Sequence, residues 1–236
     1  RETAEEQGWK LFFDPAMKDR YGVLTYGDWN IMHLALAGDL NPFGEMDEAK
    51  RATFKSTAET IFGNAKLLTD DLVAMTTALI NGEIDAYFTD GTYTASPARL
   101  DGASNVRAIT PRSGPVDGKG GLVWVELTSL INNPDPSGLA EDFLEFVQQP
   151  DVAKSVSFAE GTYNPVTQMG DPAVFAKYST EELDAIQWDS LEEELSRTTQ
   201  YNVIKDYDAL NAIYTAAKRR LRAARPGWTR QRGASV

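Results

Sequence analysis

A tryptophan and a glutamate two positions apart, Trp124 and Glu126, stand in an otherwise apolar run, Gly120-Gly121-Leu122-Val123-Trp124-Val125-Glu126-Leu127-Thr128-Ser129-Leu130-Ile131. The run is rich in branched and aromatic residues and is flanked by Gly/Pro-rich turns, so it predicts a buried strand. Residues two apart in a strand share a face. A carboxylate beside an indole can hold an amine, the acid by a charge-assisted hydrogen bond and the ring by cation–π attraction. The structural alternative for the same pair is Trp124 in the core and Glu126 in water. A second carboxylate, Asp90, follows the strand expected over Ile84–Phe88, with Tyr93 just beyond it. Ligands of open α/β sheets gather at the carboxyl ends of strands, which makes Asp90 and Tyr93 candidates, although Asp-Gly is also an ordinary turn.

Other chemistries lack their parts. His33 is the only histidine and there is no cysteine, so the sequence offers no metal constellation, no triad and no disulfide. His33 therefore reads as structural. The stretch Gly114-Pro115-Val116-Asp117-Gly118-Lys119-Gly120-Gly121 has the wrong spacing for a phosphate loop, and Gly follows Lys119 where Ser or Thr is required. It reads as a flexible turn feeding the Trp-Val-Glu strand. No nucleophile elbow or cofactor fingerprint is present. The enzyme alternative is a carboxylate-based hydrolase or transferase, pairing two of the many acids for acid–base work on a small cationic substrate. No cofactor is expected.

The 236 residues are enough to bury a sizeable core, as one large or two small domains. A formal charge of −12 argues against nucleic acid as a partner and suits a cationic ligand. No apolar run reaches the ~20 residues of a membrane span.

The elements that must position these residues follow from periodicity. Residues 1–10 are charged and helical, Tyr21 to Tyr26 form a strand, and Trp29 to Ala37 form a helix with Asp28 as its N-cap. Glu45 to Phe62 is an amphipathic helix stopped by a left-handed Gly63. Lys66 to Leu68 is a strand. Asp70 to Asn81 is a helix with an apolar stripe at Leu72, Met75, Thr76, Leu79 and Ile80, capped by Thr69 or Asp70 and ended by Gly82. Ser137 caps the next helix, which buries Ala140, Phe143, Leu144 and Val147. Pro150 opens another, ended by Gly161. The last helices are Thr180–Gln187 and Asp206–Leu221, the second with Leu210, Ile213, Tyr214, Ala217 and Leu221 on one face. Its Lys218, Arg219, Arg220 and Arg222 complement the helix dipole and do not read as a nucleic-acid patch.

The order of these motifs resembles the polyamine-type (spermidine/putrescine-binding-like) family of periplasmic solute-binding proteins, the receptors of ABC importers. Trp9-Lys10-Leu11-Phe12-Phe13-Asp14-Pro15 resembles the family's "W-x-x-L-F-D-P", and Gly82-Glu83-Ile84-Asp85-Ala86 its "G-E-V-x-V" strand. Thr110-Pro111-Arg112-Ser113-Gly114 stands at its "P-K-E-G" turn, and Trp124-Val125-Glu126 at its "W-x-D", with Glu in place of Asp. Pro150-Asp151-Val152-Ala153 matches "P-D-V-A", and Gly161-Thr162-Tyr163-Asn164-Pro165 is similar to "G-Y-x-x-P-N". The likeness runs from about Gly8 to about Tyr214.

The resemblance implies an α/β fold of the two-lobe, type II periplasmic-binding kind. Residues 1–124 plus 170–221 would form the second lobe and 125–169 part of the first, with 222–236 a disordered tail. The chain begins at Arg1 without Met or signal peptide, and the resemblance implies a preceding segment that builds most of the first lobe. It further implies a monomeric periplasmic receptor that closes around a small amine, putrescine- or spermidine-like or amino-acid-like, and delivers it to a membrane permease. Trp124 and Glu126 would supply the family's aromatic wall and carboxylate. Asp28 would be a carboxylate at the strand-to-helix corner, where Asn30 replaces a frequent acid. Tyr163 would be a cleft aromatic or simple loop packing. Near Thr89 some members carry a Trp that this chain lacks.

Overall fold

Short branched strands alternate with helices through the first ninety residues, the pattern that builds a parallel sheet with helical crossovers. The computed structural model bears this out and describes residues 1–89, 91–135, 137–159 and 163–224. Asp90, Gly161 and most of the expected tail lie outside the described residues. The architecture is mixed α/β, with a three-stranded parallel sheet and a two-stranded one. Two compact units divide the chain: residues 1–90, 109–122 and 197–236 in the first, and 91–108 and 123–196 in the second. These units do not coincide with the lobe boundaries expected above, because 91–108 and 170–196 group with 123–169.

In the first unit β1 (Tyr21–Leu24) is the central strand. It pairs in parallel with β2 (Leu67–Thr69) and β3 (Ala86–Phe88), with Val23 opposite both Leu68 and Phe88. All four β1 residues are buried, as a strand covered on both faces requires. The chain passes from β1 into α2 (Gly27–Ala37), which is buried at every position from Asn30 to Ala37. A helix apolar all round belongs inside a core. Next come α3 (Glu48–Asn64), capped by the Asp47 carboxylate on the Lys50 N–H at 2.8 Å, and α4 (Leu72–Ile80), capped by Asp71 on Ala74. Far along the chain, α11 (Tyr207–Ala224) packs on α3, with the Phe62 and Tyr214 rings 5.8 Å apart. Phe54, Ile61, Phe62 and Leu210 fill the space between sheet and helices. A short helix α1 (Glu2–Gln7) precedes a 3-10 turn over Gly8–Phe13, and β4 (Gly121–Val123) pairs with β5 (Thr198–Gln200).

The second unit holds α5 (Thr92–Leu100), α6 (Leu139–Val147), α7 (Pro150–Ser157), α8 (Pro172–Phe175), α9 (Thr180–Ala185) and α10 (Leu191–Ser196). Its core gathers Ala153, Met169, Val174, Tyr178 and Ile186. The buried Arg99 guanidinium ties α5 to α9, reaching the Asp184 carboxylate at 2.8 Å and the carbonyls of Ser104 and Val106. A reciprocal Ser179–Glu182 capping box starts α9.

Several expectations are corrected. The strand expected over 120–131 ends at Val123; beyond it no partner strand takes the main chain, and Leu127 is 81% exposed. The helix after Gly138 forms, but its expected buried face does not: no residue of α6 is buried. Gly138, at φ 74°, occupies the cap position expected for Ser137. Gly63 does not stop its helix, which runs on to Asn64; the chain leaves directly into β2, with the Lys66 N–H on the Tyr21 carbonyl, so no left-handed reversal is needed. Gly82 does end α4 in the left-handed region. Asp28 is not a cap: α2 begins at Gly27, and Asp28 lies in its first turn. The last helix extends to Ala224, into the expected tail. The glycine-rich turn is also tightly packed, because a Cβ on Gly120 would lie 2.3 Å from the Pro111 carbonyl oxygen.

Candidate functional site

Three of the sequence candidates come together in the second unit. Trp124 lies just past β4, half-buried, and its ring meets that of Tyr93 edge-to-face at 5.7 Å and 88°. Tyr93 is placed there by the first turn of α5, after Gly91, where a Cβ would stand 3.7 Å from the Trp124 ring. The Trp124 indole N–H donates to the Glu126 carboxylate across a long 3.4 Å. The alternation inferred from sequence thus holds locally, although the segment pairs with no strand. Glu126 is exposed, with capacity for further hydrogen bonds. The result is a right-angled aromatic corner with a carboxylate at its rim. Such a corner can attract a cation by ring face and by charge together.

The other candidates lie elsewhere. The Tyr163 ring meets that of Phe158 tilted, at 4.8 Å and 51°, and packs against the Ala153–Ile186 core. Asp28 belongs to the first unit, is exposed, and accepts a 2.8 Å hydrogen bond from the Tyr207 hydroxyl. That bond pushes the Tyr207 phenol above its ordinary value. Asp90 falls outside the described residues.

Asn30, where the resemblance leads one to expect an acid, is saturated by protein groups. It is fully buried, accepts from the Tyr26 N–H, and donates to the Leu24 carbonyl at 3.0 Å and to Thr89 Oγ1 at 2.7 Å. The Tyr214 hydroxyl closes the network at 3.3 Å. Thr89 sits at φ 78°, a strained conformation for a β-branched residue. Asn30 and Thr89 therefore lock the carboxyl ends of β1 and β3 together.

Sequence reasoning missed a second polar centre in the first unit. Glu5 on α1 is 6% exposed and receives Arg1 at 2.6 Å, Arg197 at 3.3 Å and Arg112 at 3.5 Å. Arg1, with Arg197 behind it, holds the Glu5 carboxyl below its ordinary value. Only a pattern of distant charges could have signalled it, and one sequence carries no such pairing information.

His33 lies among aromatics: stacked on Trp9 at 4.9 Å, with Trp29 and Phe88 within 6.3 Å. Burial pushes its imidazole down to about 4, so it is neutral at neutral pH. Among the described residues no carboxylate hydrogen-bonds to it, and no three-residue metal-binding group exists. A surface hollow of about 430 Å³ beside the start of α3 is lined largely by charged residues that pair among themselves, Arg51 with Asp206 and Lys50 with the Glu45 carbonyl. No protein-family model matches the chain, and no curated protein matches it significantly.

Proposed function

We propose that this chain is the ligand-binding part of a solute receptor serving an ABC-type importer, and that its ligand is a small amine of polyamine or amino-acid type. The observation that carries the reading is the Trp124–Tyr93 aromatic corner with the Glu126 carboxylate at its edge. Trp124 stacks on the alkyl chain or ammonium, and Glu126 accepts its hydrogen bonds. The order of motifs from Trp9 to Pro165 supports the two-lobe, type II architecture and a periplasmic setting. Consistent with an exported receptor, no helix among the described residues is long and apolar enough to cross a membrane. Ligand contacting both lobes shifts the receptor toward its closed form, which the permease accepts.

Calorimetric titration with putrescine, spermidine and a panel of amino acids tests the reading. At least one amine binds, and Glu126→Gln weakens it by about fivefold or more, the loss of ~1 kcal/mol expected for a charge-assisted bond. Affinity unchanged within about twofold removes Glu126 from the site. Turnover of any titrated compound that depends on Glu126 replaces the receptor with a carboxylate enzyme.

A further inference from the structure

The chain passes between its two units four times, at 90/91, 108/109, 122/123 and 196/197. Segments that join two compact bodies are where bending ordinarily falls. Here the first-unit ends of all four crossings are tied down, and every tie lies inside the first unit.

Three of the ends are held by residues 1–9. The Glu5 carbonyl accepts from the Arg112 N–H at 3.0 Å, and its carboxylate takes the Arg112 guanidinium at 3.5 Å and that of Arg197 at 3.3 Å. Arg197 is the first residue after its crossing; its guanidinium also reaches the Thr110 carbonyl at 3.4 Å, and its own carbonyl accepts from Gly120 and Gly121. The Trp9 indole N–H donates to the Gly120 carbonyl at 2.8 Å, two residues before the crossing at 122/123. The fit is close: Gly8 sits at φ 54°, and a Cβ on it would stand 2.9 Å from that of Pro111. The remaining end, at 90/91, is held by Asn30 Nδ2 on Thr89 Oγ1.

These ties share a footing on α2. Asn30 and His33 are three residues apart and so lie on one face of that helix. His33 stacks on Trp9, and both rings meet Phe88 edge-on. A helix buried from Asn30 to Ala37 opens only with its core, which makes it a stiff base.

We propose that residues 1–9 are a strap: through Glu5 and Trp9 they fix the first-unit ends of the crossings and thereby set how widely the two units move against each other. The reach of a joint grows with its free length, and ties within a few residues of each boundary keep that length short. The strap does not depend on the amine reading, and its test contains no ligand.

The 236-residue chain has no native cysteine to compete with labels. Lys55→Cys on α3 and Glu145→Cys on α6, both at exposed positions, carry nitroxides, and electron–electron double resonance reads the spread of distances between the units. Trp9→Phe keeps a ring on His33 but has no N–H for Gly120, and Arg112→Gln withdraws one guanidinium from Glu5. Each should broaden the distance distribution. Each should also speed exchange of the Arg112, Gly120 and Gly121 amides by about fivefold, the factor for one lost hydrogen bond, while the Tyr21–Leu24 amides exchange as before. Tyr207→Phe, which removes an equally short bond elsewhere in the first unit, should do neither. A distribution as narrow as the parent's in both strap variants overturns the proposal. So does faster exchange that includes Tyr21–Leu24, which marks general loosening of the fold, or equal broadening by Tyr207→Phe.

Discussion

The imidazole of His33 lies 4.9 Å from the indole of Trp9, their planes 26° apart, in a pocket that leaves the residue only 6% exposed. Burial lowers its proton affinity from an ordinary 6.5 to about 4. Between those values the unfolded chain binds a proton that the folded chain refuses, so stability rises with pH. The contribution is complete above the unfolded value and is lost as pH falls through the folded one. From about pH 7.5 to about pH 5 the free energy of unfolding should fall by ~2 kcal/mol from this group. His33→Phe keeps a ring on Trp9 and should flatten that slope. Urea titrations at the two pH values read it directly; an equal slope in the variant assigns the effect to other groups.

Glu5 predicts a different loss. Its carboxylate is the counter-charge of Arg197, itself 9% exposed, and truncation leaves that guanidinium buried. Glu5→Ala should therefore cost ~3 kcal/mol, whereas an exposed pair such as Arg20–Asp85 should change stability by under about 1 kcal/mol when Asp85 is truncated. The denaturant midpoints of the two variants make the comparison, and equal midpoints contradict it.

For Asn30, placing there the acid that the resemblance leads one to expect should destabilise the fold. Asn30→Asp removes the donor to the Leu24 carbonyl and places a carboxylate where no water reaches. The expected cost is ~2–3 kcal/mol. A midpoint unchanged by the substitution would show the network to be dispensable.

Trp124 separates binding from folding. It is half-buried and sits past the end of β4, so Trp124→Ala should alter unfolding by no more than ~1 kcal/mol. Amine affinity should drop by about tenfold, as expected for loss of a cation–π wall. Retained affinity with a folded variant removes the aromatic wall from the proposed site.

The first unit was largely legible because its signals are local. Tyr21–Leu24, the helix before Gly82 and the strand ending at Phe88 each carry their own start and stop. Thr180–Gln187 was legible for the same reason, with Ser179 and Glu182 supplying the cap. What failed depends on partners. Val125–Ile131 has the composition of a buried strand, but composition does not provide a neighbouring strand. Phe143 and Leu144 have helical spacing, but periodicity does not say what lies opposite. For the site, Trp124 and Glu126 were legible from the two-residue spacing. Tyr93 was legible as a strand-end residue, but not as the second wall of an aromatic corner. Asn30 looked like a lost ligand because its saturation by Tyr26, Leu24, Thr89 and Tyr214 is visible only in three dimensions.

The division of the first unit into residues 1–90, 109–122 and 197–236 bears on the order of events during synthesis. The sheet and α3 are made early, yet Phe54, Ile61 and Phe62 acquire Leu210 and Tyr214 only when α11 is complete. Glu5 likewise waits for Arg197. Throughout translation of the intervening segment, this half-built core must keep an apolar helix face uncovered, so the emerging chain is most vulnerable to aggregation and proteolysis before its last helix is delivered.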